Sequence, residues 1–321
     1  MEKIKNILKN KKCLKLICGA GNENLKEVER LAFVYSSAGF NMIDLCAKPE
    51  VLTAAKRGIK RADKENDMLI CISIGMQEDI HLSKAVINRQ KCVLCKKCIE
   101  VCPQNAVYED EEKIFIEEKK CIGCLKCVNI CNNSAILIEH KYKAPYTMLL
   151  PLISEKIDCV EFHCSSSNEK VILEEWNKIK SIYKGCTGIC LDRSKLGDDR
   201  LISLIREMGK DEKFFILQAD GKPMSGGKDD YKSTLQTVAF ADIIREAEIP
   251  AFLILSGGTN SKTLKLAKEC DIAVDGIALG SYARKIVKQY IEKDDFFENP
   301  EVMKEAVGTA KRLADELLSD M

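Results

Sequence analysis

Eight cysteines in two identically spaced runs constrain this chain more than any other feature. The first run reads Cys92-Val-Leu-Cys95-Lys-Lys-Cys98-Ile-Glu-Val-Cys102-Pro103, and the second Cys121-Ile-Gly-Cys124-Leu-Lys-Cys127-Val-Asn-Ile-Cys131-Asn132. Each has the C-x2-C-x2-C-x3-C spacing with which bacterial ferredoxins wrap one cubane in three thiolates and send the fourth to its neighbour. The spacing therefore predicts two [4Fe-4S] clusters, one on Cys92, Cys95, Cys98 and Cys131 and one on Cys121, Cys124, Cys127 and Cys102. Zinc is the competing reading, but a zinc site closes with four ligands, and two such runs in tandem rarely serve it. Asn132 stands where the second run usually has proline, and since that position is not a ligand, the expectation is altered loop packing with the cluster intact. Lys91, Lys96, Lys97 and Lys126 interleave the ligands, as a solvated face or an attraction for an acidic redox partner.

Seventeen cysteines would suggest disulfides in a secreted protein, but the N-terminus argues against export. Residues 1–12 form a lysine-rich amphipathic start, the apolar run after them is broken by Lys15, and Cys18 lacks the small preceding residues that lipoprotein processing needs. No stretch approaches the roughly 20 apolar residues that span a bilayer. The expectation is a cytoplasmic protein whose cysteines are reduced. With 50 basic against 49 acidic residues, nothing marks a nucleic-acid surface.

Outside the cysteine-rich segment, short apolar runs alternate with helical patterns, the signature of parallel βαβ units. Strands are expected at 14–18, 41–45, 68–74, 159–164, 185–191, 214–218, 251–255 and 272–279, and helices at 24–37, 49–61, 145–156, 169–183, 198–208, 231–246, 261–268, 282–291 and 301–319. Eight strands, each followed by a helix, close a (β/α)8 barrel of the TIM type; a doubly wound open sheet is the competing arrangement. The alternation stops near Gly75 and resumes near Ala144, so the double run is a ferredoxin-like domain inserted after strand three. The expected division is barrel at 1–80, two-cluster domain at 81–140, and barrel with a C-terminal helix at 141–321. An insertion between a strand and its following helix lies at the C-terminal mouth of a barrel, where barrel enzymes work.

Glycine-rich turns follow the last two strands: Gly257, Gly258 and Thr259 after strand seven, and Gly280, Ser281 and Arg284 after strand eight. Backbone N–H groups and a helix N-terminus there suit an anion, which predicts a phosphate-bearing ligand such as FMN; tight βα turns alone would also explain the glycines. A third polar loop, from Gln218 to Gly227, offers Asp220 and Lys222 for ligand contact. Cys18, Cys46, Cys164 and Cys190 fall at the ends of predicted strands and could converge at the mouth as a further metal or thiol site. Cys13, Cys71, Cys159, Cys186 and Cys270 read as packed residues, and His163 as a core or orienting residue.

These segments resemble the LdpA-like iron-sulfur proteins over most of the chain. The resemblance rests on residues 16–20 (Leu-Ile-Cys-Gly-Ala), on Asp44 with the stretch from Ala47 to Ala55, on the double cysteine run, on residues 220–226 (Asp-Gly-Lys-Pro-Met-Ser-Gly), and on Gly257-Gly258-Thr259-Asn260 with Gly280-Ser281-Tyr282-Ala283-Arg284. It implies iron-sulfur clusters and a role in sensing or relaying redox state, without a reaction that transfers residue by residue. The sequence thus predicts a redox protein that carries or senses electrons next to a ligand site, exchanging them with a partner protein or a small-molecule acceptor. The alternative is an oxidoreductase on a phosphate-bearing cofactor, with the clusters as internal relay.

Overall fold

The structure, a computed structural model, describes every residue except 1, 20, 77, 78, 80, 81, 141, 142, 194, 213 and 222–226, together with the side chain of residue 192. The chain opens with a short helix α1 (Glu2–Lys9), followed by β1 (Cys13–Ile17), α2 (Leu25–Ser37), β2 (Met42–Cys46), α3 (Pro49–Arg61) and β3 (Leu69–Gly75). The insertion then supplies β4 (Ser83–Ile87), α4 (Lys97–Glu100), β5 (Val107–Asp110), β6 (Lys113–Ile116), α5 (Lys126–Ile130) and β7 (Ile136–His140). The alternation returns with α6 (Pro145–Leu149), β8 (Cys159–Cys164), α7 (Glu169–Ile182), β9 (Cys186–Asp192), α8 (Asp198–Gly209), β10 (Phe215–Asp220) and α9 (Tyr231–Glu246). It ends with β11 (Phe252–Ser256), α10 (Thr263–Glu269), β12 (Gly276–Leu279), α11 (Ser281–Ile291) and α12 (Pro300–Asp320).

Strands β1, β2, β3, β8, β9, β10, β11 and β12 pair in parallel and close into one barrel, so the expected count and closure hold. Side chains such as Leu14, Leu16, Ile72, Phe162 and Leu255 face the helices, as a sheet covered on its outer face requires. Helix starts follow local chemistry: Asn24, Asn168, Asp230 and Asn299 each accept the N–H three residues on, capping α2, α7, α9 and α12.

Inside the barrel, Cys13, Met42, Cys71, Cys159, Cys186 and Ile216 make an apolar floor, and Ile4 and Leu8 of α1 plug its N-terminal end. The packing expected for four of the cysteines is thus met, but Cys270 is exposed because it caps the C-terminus of α10. Two elements are shorter than expected. The helix begun at Pro145 stops at Leu149 and tightens to a 3₁₀ turn, because Pro151 has no N–H to continue it. The last strand begins only at Gly276: the Asp275 carboxylate just before it accepts the Leu253 N–H and pairs with Arg245, holding the preceding segment as a loop.

The insertion forms two antiparallel hairpin-like pairs, β4 with β7 and β5 with β6. Its own small core contains Ala85, Ala106, Val107, Ile114 and Ile136 together with Cys98, Cys121 and Cys127. It leaves from the C-terminal end of β3, at the mouth.

Candidate functional site

The cysteines of the insertion surround two cavities, each about 350 to 360 Å³ with the open space at its rim. One is lined by Cys92, Cys95, Cys98 and Cys131, the other by Cys102, Cys121, Cys124 and Cys127, so the last cysteine of each run crosses to the other cavity. The chain wraps them through matched left-handed residues, Leu94 with Gly123 and Lys96 with Leu125. A left-handed leucine or lysine is strained and persists only where its surroundings enforce it. Backbone N–H groups of Ala106, Ala135 and Ala85 donate to the sulfurs of Cys102, Cys131 and Cys121 at 3.2, 3.3 and 3.4 Å. Burial raises the Cys98 and Cys124 thiols above their ordinary range and pushes Cys127 up to about 12. Four sulfurs around one largely apolar cavity, with amide donors at hand, fit the donor set of a cubane.

The second cavity adjoins the barrel. Ile122, between two of its cysteines, also lines the mouth. The mouth is a cavity of about 720 Å³, its open rim included, bounded by the strand ends and the glycine loops. Its depth is ionic. Lys15 on β1 points inward and its Nζ lies 2.6 Å from Glu161 Oε2 and 3.1 Å from Gln218 Oε1, while Gln218 Nε2 donates to Glu161 Oε1 at 3.1 Å. His163 bridges Glu161 Oε1 at 3.2 Å and Asp79 Oδ2 at 3.1 Å. Both side chains of the lysine–glutamate pair are almost fully buried, 1% and 2% exposed.

These contacts set the protonation states. Burial opposes the Lys15 charge, but Cys71, Glu161 and Asp44 outweigh it and hold its pKa well above the ordinary lysine value. Burial likewise opposes the Glu161 carboxylate, and Lys15 and His163 overcome it, leaving the carboxyl well below its usual range. The His163 imidazolium is favoured despite burial because Asp79 and Glu161 both accept from it. Asp44 behaves in the opposite way: burial dominates and raises it, with Ser73 Oγ donating to its carboxyl. The wall of the mouth thus carries an imidazole biased toward its protonated form.

Of the residues expected to contact a ligand, Gly257, Gly258, Thr259, Gly280, Ser281, Arg284 and Asp220 all line this cavity; Lys222, with Pro223 to Gly226, lies outside the described residues, as does Ala20. Glycine is required at 257, where φ is +70° and a Cβ would come within 1.9 Å of Asp220 Oδ1. The Thr259 hydroxyl is already engaged, donating to Ala278 O at 2.6 Å. Arg284, 7% exposed, donates from Nη2 to Cys18 O at 2.6 Å. Its Nε stands 3.2 Å from Glu27 Oε1 as an ion pair and is buried without a hydrogen-bond partner.

The four strand-end cysteines do not converge. Cys18, Cys46 and Cys164 belong to the packed core around the sheet, and Cys46 donates to Asn22 O; Cys190 alone lines the mouth, where it donates to Asp220 Oδ2 at 3.4 Å. Strand side chains alternate faces, so Cys18 and Cys164 point outward while Lys15, Glu161 and His163 point in. Burial, with Asp220 adding to it, holds Cys190 as a thiol. Among the described residues, no three His, Cys, Asp or Glu side chains are grouped to hold a single metal ion. Nor does the lining single out a flavin, since among the described residues Ile17 and Ile122 are its large apolar members and no Phe, Tyr or Trp ring lines it. The sequence reading missed Lys15, Glu161 and Gln218, whose signal was a polar residue at alternate positions inside otherwise apolar strands.

Residues 151–316 match the model of the light dependent period A C-terminal domain, and residues 84–132 that of a 4Fe-4S dicluster domain. The chain is similar to Light dependent period A of Synechococcus elongatus, 28% identical across 94% of this chain and 90% of that one. In fold it is similar to the YdjI aldolase of Escherichia coli K12, with a TM-score of 0.52 at 8% identity over 98% of this chain and 93% of the other. At that identity the likeness shows the barrel alone.

Proposed function

The chain belongs to the family of the light dependent period A C-terminal domain and is an iron-sulfur protein, and from that premise we propose that it takes up and hands on single electrons through two [4Fe-4S] clusters beside a ligand site at the barrel mouth. The reading is carried by the two cavities, each lined by one of the four-cysteine sets that the run spacing pairs. Cys92, Cys95, Cys98 and Cys131 would hold one cluster, and Cys102, Cys121, Cys124 and Cys127 the other; the bound clusters supply one-electron chemistry. Residues 81–140 form the two-cluster domain, and 1–80 with 141–321 the barrel.

At the mouth, Arg284 and the backbone of Gly257, Gly258, Gly280 and Ser281 bind an anionic small molecule, with Asp220 bordering it. Thr259 holds the glycine turn after β11 to β12 through its bond to Ala278 O. Glu161, Lys15 and Asp79 orient His163 so that a proton is held at its imidazole on the wall of the same cavity. We assign the electron exchange to a redox partner protein or small acceptor and place the protein in the cytoplasm, where ligand thiols stay reduced. No helix among the described residues is long and apolar enough to cross a membrane, and with 50 basic against 49 acidic residues we propose no nucleic-acid partner.

Protein purified without oxygen tests this reading: about eight irons and eight sulfides per chain, with a reducible cluster spectrum, are expected. About four irons or fewer after reconstitution would refute it. A released flavin in the same preparation would favour an oxidoreductase with an internal relay, for which the glycine turns at the mouth are the supporting observation.

A further inference from the structure

The cavity of Cys102, Cys121, Cys124 and Cys127 differs from its twin in having a buried lysine beside it. Lys84, on β4 and 3% exposed, donates from Nζ to Gly21 O at 2.7 Å and to Cys121 O at 2.8 Å, and it pairs with Glu23 Oε1 at 3.2 Å. The three N–H bonds of the ammonium are thus all matched, which fixes the charge in place. The next residue, Ala85, is the one whose N–H donates to the Cys121 sulfur. Glu23 does not cancel this charge alone, because its other carboxylate oxygen is taken by Lys48; two ammonium groups share one carboxylate. Those lysines outweigh burial and hold the Glu23 carboxyl below its ordinary range. Lys288 also reaches this side, donating to Pro103 O at 2.9 Å, but it is only half-buried.

The twin cavity has lysines of another kind. Lys96 and Lys97 line it but are exposed, and Lys96 is paired with Glu109 at 2.7 Å. Water and salt screen such charges, whereas a charge fixed in the interior acts through a lower dielectric. A fixed positive charge stabilises the reduced, more negative form of a nearby cluster.

We propose that Lys84 raises the reduction potential of the cluster nearest the mouth above that of its twin, giving the pair a direction from the outer cluster inward. The inference rests on the two-cluster reading. In the step concerned, a single electron leaves the outer cluster, which is oxidised, and reduces the inner one; no bond or proton changes hands. Lys84 is a positioning residue for charge. Because it also clamps Gly21, which lines the mouth, the same side chain ties the inner cluster to the ligand site.

The test is a potentiometric titration of the anaerobic, cluster-loaded full chain with dithionite, read by electron paramagnetic resonance. In Lys84→Met the reduced-to-oxidised ratio of one cluster at a fixed potential should fall at least tenfold, which is 59 mV for one electron, while the other stays put. The shifted signal should be the one missing from Cys124→Ala, and Lys84→Arg should restore it. Glu23→Gln removes the counter-charge and should move the same potential in the opposite direction. Full iron with unmoved potentials in Lys84→Met would overturn the proposal. Should that variant lose its inner cluster, an unmoved or lowered potential in Glu23→Gln overturns it instead. Failure of the two-cluster reading looks different, since the wild-type protein itself would then lack iron and sulfide for a second cluster.

Discussion

Replacing Lys15 by methionine exposes how the barrel interior is held together. The ammonium sits 2.6 Å from Glu161 with both side chains all but excluded from water, so the substitution strands a buried carboxylate. Breaking such a pair from one side costs about 3–5 kcal/mol. Glu161 keeps the Gln218 amide and the His163 imidazolium, which places the expected loss near the lower end, about 3 kcal/mol, or roughly 5 °C in melting temperature. The pH dependence has a definite sign. In the wild type the depressed Glu161 pKa contributes stability above the ordinary carboxyl value of about 4.3, and this is lost as pH falls through the depressed value. Without Lys15 burial dominates and raises that pKa, so the variant's deficit should be largest at neutral pH and shrink on mild acidification. Lys15→Met with Glu161→Gln should recover much of the loss, since no charge is left unpaired. Urea unfolding read from the single tryptophan, Trp176, buried against Phe162 and Phe215, measures the wild type and both variants. A loss below about 1 kcal/mol, or a double variant no more stable than the single, would refute this reasoning.

Leu8→Ala, which unplugs the barrel floor, should cost about 2–5 kcal/mol in the same assay, and a neutral result would mean that α1 does not seal it. Gly257→Ala should destabilise by about 1 kcal/mol or more, because alanine must adopt a positive φ against the Asp220 carboxylate; unchanged unfolding would contradict the loop geometry. Arg284→Met should weaken binding of inorganic phosphate, followed by calorimetry, by roughly tenfold or more with iron content unchanged; equal affinity would remove the anion from the mouth.

The barrel was legible because its strands are short apolar runs broken by capped helices, and the cysteine runs were legible because a cubane's ligand spacing is local. The ionic interior was harder to see. Lys15 and Glu161 sit far apart in sequence, and only the barrel register brings β1 and β8 to the same depth. The strand-end cysteines misled because position along a strand says nothing of which way a side chain faces: Cys164 lies one residue beyond His163 and therefore on the other side of the sheet. The plugging role of α1 was hidden as well, since Ile4 and Leu8 form too short a stripe among lysines to show where they would be buried.

The most direct test of the two-cluster account is the crossing of ligands between the runs. Four single variants, Cys95→Ala, Cys131→Ala, Cys124→Ala and Cys102→Ala, would each be purified without oxygen, reduced, and read by iron content and electron paramagnetic resonance. Cys131→Ala should lose the same cluster signal as Cys95→Ala, and Cys102→Ala the same signal as Cys124→Ala, although each pair draws on both runs. If Cys131→Ala instead matched Cys124→Ala, each run would hold its own metal centre, and the two-cavity assignment would be wrong.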